Sequence, residues 1–296
     1  MKRRAFIRSS LGVVAVAATG RSAVAPASPW TGEIGITTGS FMRHLVPDRA
    51  AGKLRLLDLP KLMRDELGMK AIDLMTATLV SLEPAYLERL RAAAADAGCV
   101  LTNLKLNFTR ADVGHADPAA RRAAVAEFKA GIDAAARLGV RWVRPLPGVR
   151  RADLAATAAS YRELADYAGE RGLGLLVENI GWMTGDPDGV PDLIRAVGAG
   201  AHAQPDTGNW DDAVRYTGLA RAFPLAASCD FKAFELEPDG AHAKYDLRRC
   251  FQIGWDAGFR GPWLLEHFHA DLRQLVREMG LLRDLLQRWT RAQAGR

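Results

Sequence analysis

Four carboxylates in the second half of this chain each close a short apolar run. The runs are Leu175-Leu176-Val177-Glu178, Ala201-His202-Ala203-Gln204-Pro205-Asp206, Ala227-Ser228-Cys229-Asp230 and Pro262-Trp263-Leu264-Leu265-Glu266. Each reads as a buried strand with an acid at its carboxyl end. One such acid is as readily a helix cap or a turn residue as a functional group. Four at the ends of consecutive strands are harder to explain by capping, because they describe acids aimed at one mouth. Carboxylates brought together repel unless a positive charge sits among them. A divalent metal held by oxygen and nitrogen ligands is the usual solution. The chemistry expected is therefore that of a metal-dependent enzyme.

Positioning four strand ends around one mouth needs a parallel sheet with its crossovers on the outside. Strand-like segments recur at 33–38, 71–75, 100–107, 142–146, 174–178, 201–206, 227–232 and 263–267. Helical patterns lie at 84–97, 118–138, 153–171, 190–197, 211–223, 247–257 and 272–289. In 118–138 the apolar residues Ala124, Phe128, Ile132, Ala135 and Leu138 recur at helical spacing. Gly98, Gly139, Gly172 and Gly258 stand just before strands, where glycine suits a left-handed helix C-cap. Eight strand–helix units give a (β/α)8 barrel, whose chemistry sits at the carboxyl ends of the strands. A doubly wound open sheet is the alternative, and it calls for a phosphate-binding glycine fingerprint after the first strand. Gly35-Ile36-Thr37-Thr38-Gly39 does not match that fingerprint.

The chain of 296 residues opens with Met1-Lys2-Arg3-Arg4-Ala5-Phe6, followed by an apolar run from Leu11 to Ala18 and small residues at 23–27. This pattern predicts a twin-arginine export signal over residues 1–27, removed to leave one domain at 28–296. The apolar run is far shorter than the roughly 20 residues of a membrane span, so no stable membrane insertion is expected once the signal is gone. Five of the excess positive charges (Lys2, Arg3, Arg4, Arg8 and Arg21) lie in that segment, so the formal +6 falls to +1 for the remainder. No run of Lys or Arg follows, which argues against a nucleic-acid partner. Three cysteines, Cys99, Cys229 and Cys250, are too few and too odd in number for a disulfide framework.

Val177-Glu178-Asn179, Pro205-Asp206-Thr207-Gly208-Asn209 and the stretch from Asp246-Leu247-Arg248-Arg249 through Gly261-Pro262-Trp263-Leu264-Leu265-Glu266 resemble the xylose isomerase-like TIM barrel superfamily. That superfamily includes sugar phosphate isomerase/epimerase-like proteins, ketose 3-epimerases, inosose dehydratase and apurinic endonucleases. The resemblance implies a barrel and one divalent metal ion (Mn²⁺, Mg²⁺, Co²⁺ or Zn²⁺). By position, the metal ligands would be Glu178, Asp206, Asp230 and Glu266. The seventh strand departs from the pattern, since Asp230-Phe231-Lys232 stands where a histidine two residues before a lysine is usual. Asp230 is then either a hard oxygen ligand, a partner of Lys232, or the mark of a lost metal site.

With the resemblance in view, Lys105, Asn107, Arg144 and Lys232, polar residues on apolar strands, become candidates for binding sugar hydroxyls or a developing enolate; the alternative is a set of interior ion pairs. Asn179 and Asn209 follow two of the acids and join this set, as does His269 in the loop after the last strand. Trp182 and Trp210 could stack on a sugar face or fill loop core.

The expected activity is proton abstraction next to a carbonyl of a sugar or polyol, as in isomerases and epimerases, with Glu178 and Glu266 as the acid/base pair. A small carbohydrate is the expected partner, a homo-oligomer is possible, and the expected location is periplasmic or secreted. One alternative is a lyase eliminating across a 3-keto-glycoside, and another is a non-catalytic periplasmic sugar-binding barrel. A multi-metal hydrolase would need several histidine ligands, and of the six histidines present none clearly sits on a matching strand end.

Overall fold

The computed structural model describes residues 30–45, 54–148, 153–237 and 239–295. The expected signal at 1–27 lies outside them. Eight strands occur in chain order: β1 (Ile34–Thr37), β2 (Ala71–Met75), β3 (Val100–Leu106), β4 (Trp142–Pro145), β5 (Gly174–Val177), β6 (Ala201–Ala203), β7 (Cys229–Lys232) and β8 (Trp263–Glu266). All ladders are parallel, and the sheet runs β6-β5-β4-β3-β2-β1-β8-β7. It closes on itself between β6 and β7, where the amide of Ala227 donates to the carbonyl of Ala203 and that of Asp230 to Pro205, each at 3.0 Å. This is the expected (β/α)8 barrel. β6 is the shortest strand because Pro205 has no N–H to continue a ladder. Isolated bridges at Ala203–Ala226 and Asp206–Asp230 carry the closure instead.

The crossovers are α1 (Leu59–Leu67), α2 (Pro84–Asp96), α3 (Pro118–Leu138), α4 (Leu154–Gly169), α5 (Gly189–Val197), α6 (Arg215–Ala222), α7 (Leu247–Asp256) and α8 (Leu272–Ala294). Aspartates cap four of them: Asp117, Asp153, Asp246 and Asp271 each accept a backbone N–H of the first turn. Gly139 ends α3 with φ +72°, the left-handed conformation the sequence predicts there. Helix α1 has no counterpart among the helical patterns read from the sequence; it is a single short amphipathic stretch opening with a proline. None of the helices in the described residues is long and apolar enough to cross a membrane.

The main core fills the space between sheet and helices, with Ile72, Leu74, Leu104, Val143, Phe231 and Leu265 on the strand faces turned outward. Inside the barrel the floor is a small separate cluster of Trp142, Leu176 and Ala227, with Trp30 packed edge-on to Trp142 at 5.0 Å between ring centroids. Above that floor the interior turns polar. Asp73, Asn103 and Gln204 form a buried layer, and the carboxylates lie on the strand ends around it. All three cysteines are buried and unpaired.

Candidate active site

Five carboxylates and three cations meet at the carboxyl ends of the strands. Asp73 comes from β2, Lys105 from β3, Arg144 from β4, Glu178 from just after β5 and Asp206 from beyond β6. Asp230 and Lys232 come from β7, and Glu266 from the end of β8. Every one of these residues is buried. Alternation along the strands explains the grouping: Asp230 and Lys232, two apart, face inward while Phe231 between them packs in the outer core. Lys105 and Arg144 are register partners across β3 and β4, and Lys232 and Glu266 across β7 and β8.

The contacts between these groups are specific. Lys105 Nζ lies 2.6 Å from Asp230 Oδ2, 3.8 Å from Glu266 Oε2 and 3.9 Å from Asp73 Oδ2. Lys232 Nζ lies 2.9 Å from Asp206 Oδ2 and 2.8 Å from Glu266 Oε1, and donates to Asn209 Oδ1 at 2.7 Å. Arg144 Nε stands 2.8 Å from Glu178 Oε2 as a charge contact off the line of a hydrogen bond. Arg144 Nη1 is likewise buried with no aligned acceptor. Glu178 Oε1 accepts from Asn209 Nδ2 at 2.9 Å. Asp206 serves two purposes, because its Oδ1 also accepts the amides of Gly208 and Asn209 at 2.7 and 3.0 Å and so folds the turn.

Electrostatics follow from this packing. Burial raises the Asp206 carboxyl to about 6, against the pull of Lys232, and Glu266 and Glu178 push it the same way. Burial likewise raises Asp230 well above the ordinary carboxylate range, and Asp73 above it, with Lys105 opposing in both cases. Burial also acts on Glu266, but Lys232, Lys105 and Arg144 together outweigh it and hold that carboxyl below its usual value. For Lys105, burial disfavours the ammonium, yet Asp230, Asp73, Glu178 and Glu266 together keep it charged. With all five acids ionised, three cations would leave two negative charges uncompensated.

Oxygen atoms of Glu178, Asp206 and Asp230 all lie within 4.8 Å of one another, a spacing that could hold a metal ion. An all-carboxylate set suits a hard divalent cation, and two positive charges match the excess the site carries. The residues therefore fit the group. Glu266 is not among the three; its Oε1 lies 2.8 Å from Lys232 Nζ.

Other residues read from the sequence are placed as follows. Asn107 accepts from Arg144 Nη2 at 3.4 Å, at the edge of the site. Asn179 is not free for a ligand, since its amide is spent on the backbone carbonyl and N–H of Asp206 at 3.0 and 2.8 Å. Trp210 is only 2 % exposed and packs against Gly218, so burial removes it as a stacking surface. Trp182 packs against the core in a short 3-10 turn. His269 is tied into its own loop by the amide of Asp271, which donates to its Nδ1 at 2.9 Å. His267 points away from Glu266 and meets Glu278 of α8 at 2.7 Å. Asp73, Asn103 and Gln204 belong to the site's floor and are absent from the residues read out of the sequence. The available signal was an acid in the middle of the run Ala71-Ile72-Asp73-Leu74-Met75, where an unpaired charge is not tolerated.

Comparison with known proteins agrees with this geometry. Residues 65–291 match the profile of the xylose isomerase-like TIM barrel family. The chain belongs to that family. No curated protein matches the sequence. Among solved structures, similarity extends to an L-ribulose 3-epimerase at 17 % identity and a TM-score of 0.73, covering 89 % of this chain and 97 % of the other. A D-psicose 3-epimerase from Clostridium cellulolyticum H10, solved with D-tagatose, is similar at 16 % identity and TM-score 0.68, covering 86 % and 98 %. A xylose isomerase-like barrel protein from Mycobacterium smegmatis, solved with magnesium, is similar at 19 % identity and TM-score 0.62, covering 88 % and 98 %. At these identities the likeness speaks for the fold, and the site must speak for the chemistry.

Proposed function

We propose that this member of the xylose isomerase-like family is a metal-assisted enzyme that abstracts a proton next to the carbonyl of a small sugar or polyol, giving an isomer or epimer. The observation that carries the reading is the mouth itself. Three carboxylates converge there at metal-binding spacing, with a fourth, Glu266, beside them and kept ionised by two lysines. Solved barrels of similar fold are a ketose 3-epimerase with its sugar and a magnesium-bound protein, which supports both parts of the reading.

A divalent ion held by Glu178, Asp206 and Asp230 would supply Lewis acidity toward the sugar's carbonyl and neighbouring hydroxyl. Glu266 takes the α-proton, and it remains ionised at neutral pH because its carboxyl sits below the ordinary range. Negative charge then develops on the sugar oxygen. Arg144, with Nη1 free of any aligned acceptor, and the charged Lys105 are set to offset it. A proton returned to the same face of that carbon gives back the starting sugar, one delivered to the opposite face gives the epimer, and return to the neighbouring carbon gives the isomer. The buried position of these groups keeps water from competing.

The proposed location is outside the cytoplasm, supported by the twin-arginine pattern of residues 1–27. An exported enzyme meets free or glycosidic sugars in preference to phosphorylated ones. The deciding assay offers free ketoses and a 3-keto-glucoside in turn, with Mg²⁺, Mn²⁺, Co²⁺ or Zn²⁺. Metal-stimulated appearance of an epimer or aldose supports the reading. Release of the aglycone alone would assign a lyase, and absence of turnover with all four metals would leave a binding protein.

A further inference from the structure

We propose that Arg215 and Tyr245 form a clasp across the seam of the barrel and are positioning residues for the site. The inference rests on the reaction read above for what the site does, and adds two residues that act on it through backbone carbonyls.

Among the described residues no ladder joins β6 to β7, because Pro205 interrupts the strand and isolated bridges close the barrel instead. Three side chains of the site flank this seam. Asp206 stands on one bank, Asp230 and Lys232 on the other, and Lys232 Nζ reaches back to Asp206 Oδ2 at 2.9 Å. Few backbone bonds fix their spacing at this level. The amide of Asp230 donates to the Pro205 carbonyl, and that of Thr207 to the Asp230 carbonyl, each at 3.0 Å. The amide of Lys232 donates to Thr207 Oγ1 at 2.9 Å.

Two crossovers supply the clasp. Arg215 opens α6, which links β6 to β7, and its Nη1 donates to the Thr207 carbonyl on the β6 bank at 2.7 Å. Tyr245 stands just before α7, and its hydroxyl donates to the Lys232 carbonyl on the β7 bank at 2.6 Å. The Arg215 guanidinium stacks on the Tyr245 ring, with Cζ 4.0 Å from the centroid. One side chain therefore holds each bank, and a cation–π contact joins the two. The arrangement is costly. Arg215 is only 5 % exposed, while its ion-pair partner Asp212 is 85 % exposed and offsets little of the desolvation. A charge buried on those terms is explained by what it holds in place. Misplacement of a reacting group by about 1 Å can cost about a hundredfold in rate, so the spacing across the seam matters to the chemistry.

The test is residue-resolved amide hydrogen exchange by NMR on the full chain, beside steady-state kinetics. Tyr245→Phe deletes one hydroxyl, and Arg215→Met deletes the guanidinium. Each is expected to speed exchange at the amides of Thr207, Asp230 and Lys232 by about tenfold or more, while amides of the β2–β3 ladder change less than about threefold. The double variant should add little to either single change, since releasing one half releases the clasp. Arg215→Lys keeps a donor and a charge and should recover part of the protection. In both single variants kcat should fall by about tenfold or more while KM changes less than about threefold. Exchange that rises equally throughout the barrel, or not at all at the seam, would overturn the inference. An undiminished kcat beside an opened seam would overturn it too. If Arg215→Met does not fold, Tyr245→Phe decides alone. A wild-type protein that turns over no sugar would instead overturn the functional reading, and the exchange rates would still decide the clasp.

Discussion

At the scale of single residues, the two glutamates separate by what holds them. Glu178 has both oxygens engaged, one by Asn209 and one against Arg144, whereas Glu266 is pinned by one oxygen to Lys232. Replacing either with Gln keeps its size and removes its charge. Glu266→Gln should fold normally and lose about two to four orders of magnitude in turnover, the usual effect of removing a general base. Glu178→Gln should also lose turnover, but mainly through weaker metal binding, so excess metal should restore part of it. Steady-state kinetics against metal concentration separates the two cases. Lys105 carries a different liability, because it is 1 % exposed and 2.6 Å from a fully buried Asp230. Lys105→Met strands that acid among others, and removal of one partner from a buried pair costs about 3–5 kcal/mol. A fall of that size in urea-unfolding free energy is the expected result at neutral pH. The loss should shrink on acidification, since burial already raises the Asp230 carboxyl well above its usual range and protonation removes the stranded charge.

At the scale of elements, the strands were legible and the loops less so. Apolar runs marked all eight strands, the last four of them with closing acids, and glycines such as Gly139 marked the helix ends where the chain turns left-handed. The strand ends were overestimated where side chains take over from the ladder. Asp206, for example, lies in a turn past Pro205 and stays in register with β7 through one isolated bridge. The loop tryptophan Trp210 was legible as a large aromatic beside an acid, but only the packing on Gly218 shows that it is core. Asp73 was missed because one polar residue in an apolar strand carries no spacing pattern, and its partners Asn103 and Gln204 are distant in sequence. The turn from Asp206 to Asn209 supports the most direct test at this scale. Gly208→Ala places a methyl group within 2.9 Å of Tyr245 Oη as well as against the Lys232 stem. Overpacking of this kind costs about 1–3 kcal/mol. The variant should remain folded at room temperature and show a larger loss in turnover than its modest loss in thermal midpoint would imply.

At the scale of the whole molecule, the barrel lets seven of its eight strands deliver one charge cluster, with Asp206 carried by the turn after β6. The floor of Trp142, Leu176 and Ala227, with Trp30 packed against it, fills the barrel interior beneath the cluster. The central claim is that Glu266 abstracts a carbon-bound proton next to a carbonyl with a divalent ion in support. Its most direct measurement is proton NMR of a ketose incubated in D₂O with the Mg²⁺-loaded protein. The account predicts loss of the signal from the hydrogen beside the carbonyl as deuterium replaces it, abolished by EDTA and reduced about two to four orders of magnitude in Glu266→Gln. Conversion of the sugar without any deuterium entering that carbon, or exchange at an undiminished rate in Glu266→Gln, would contradict it.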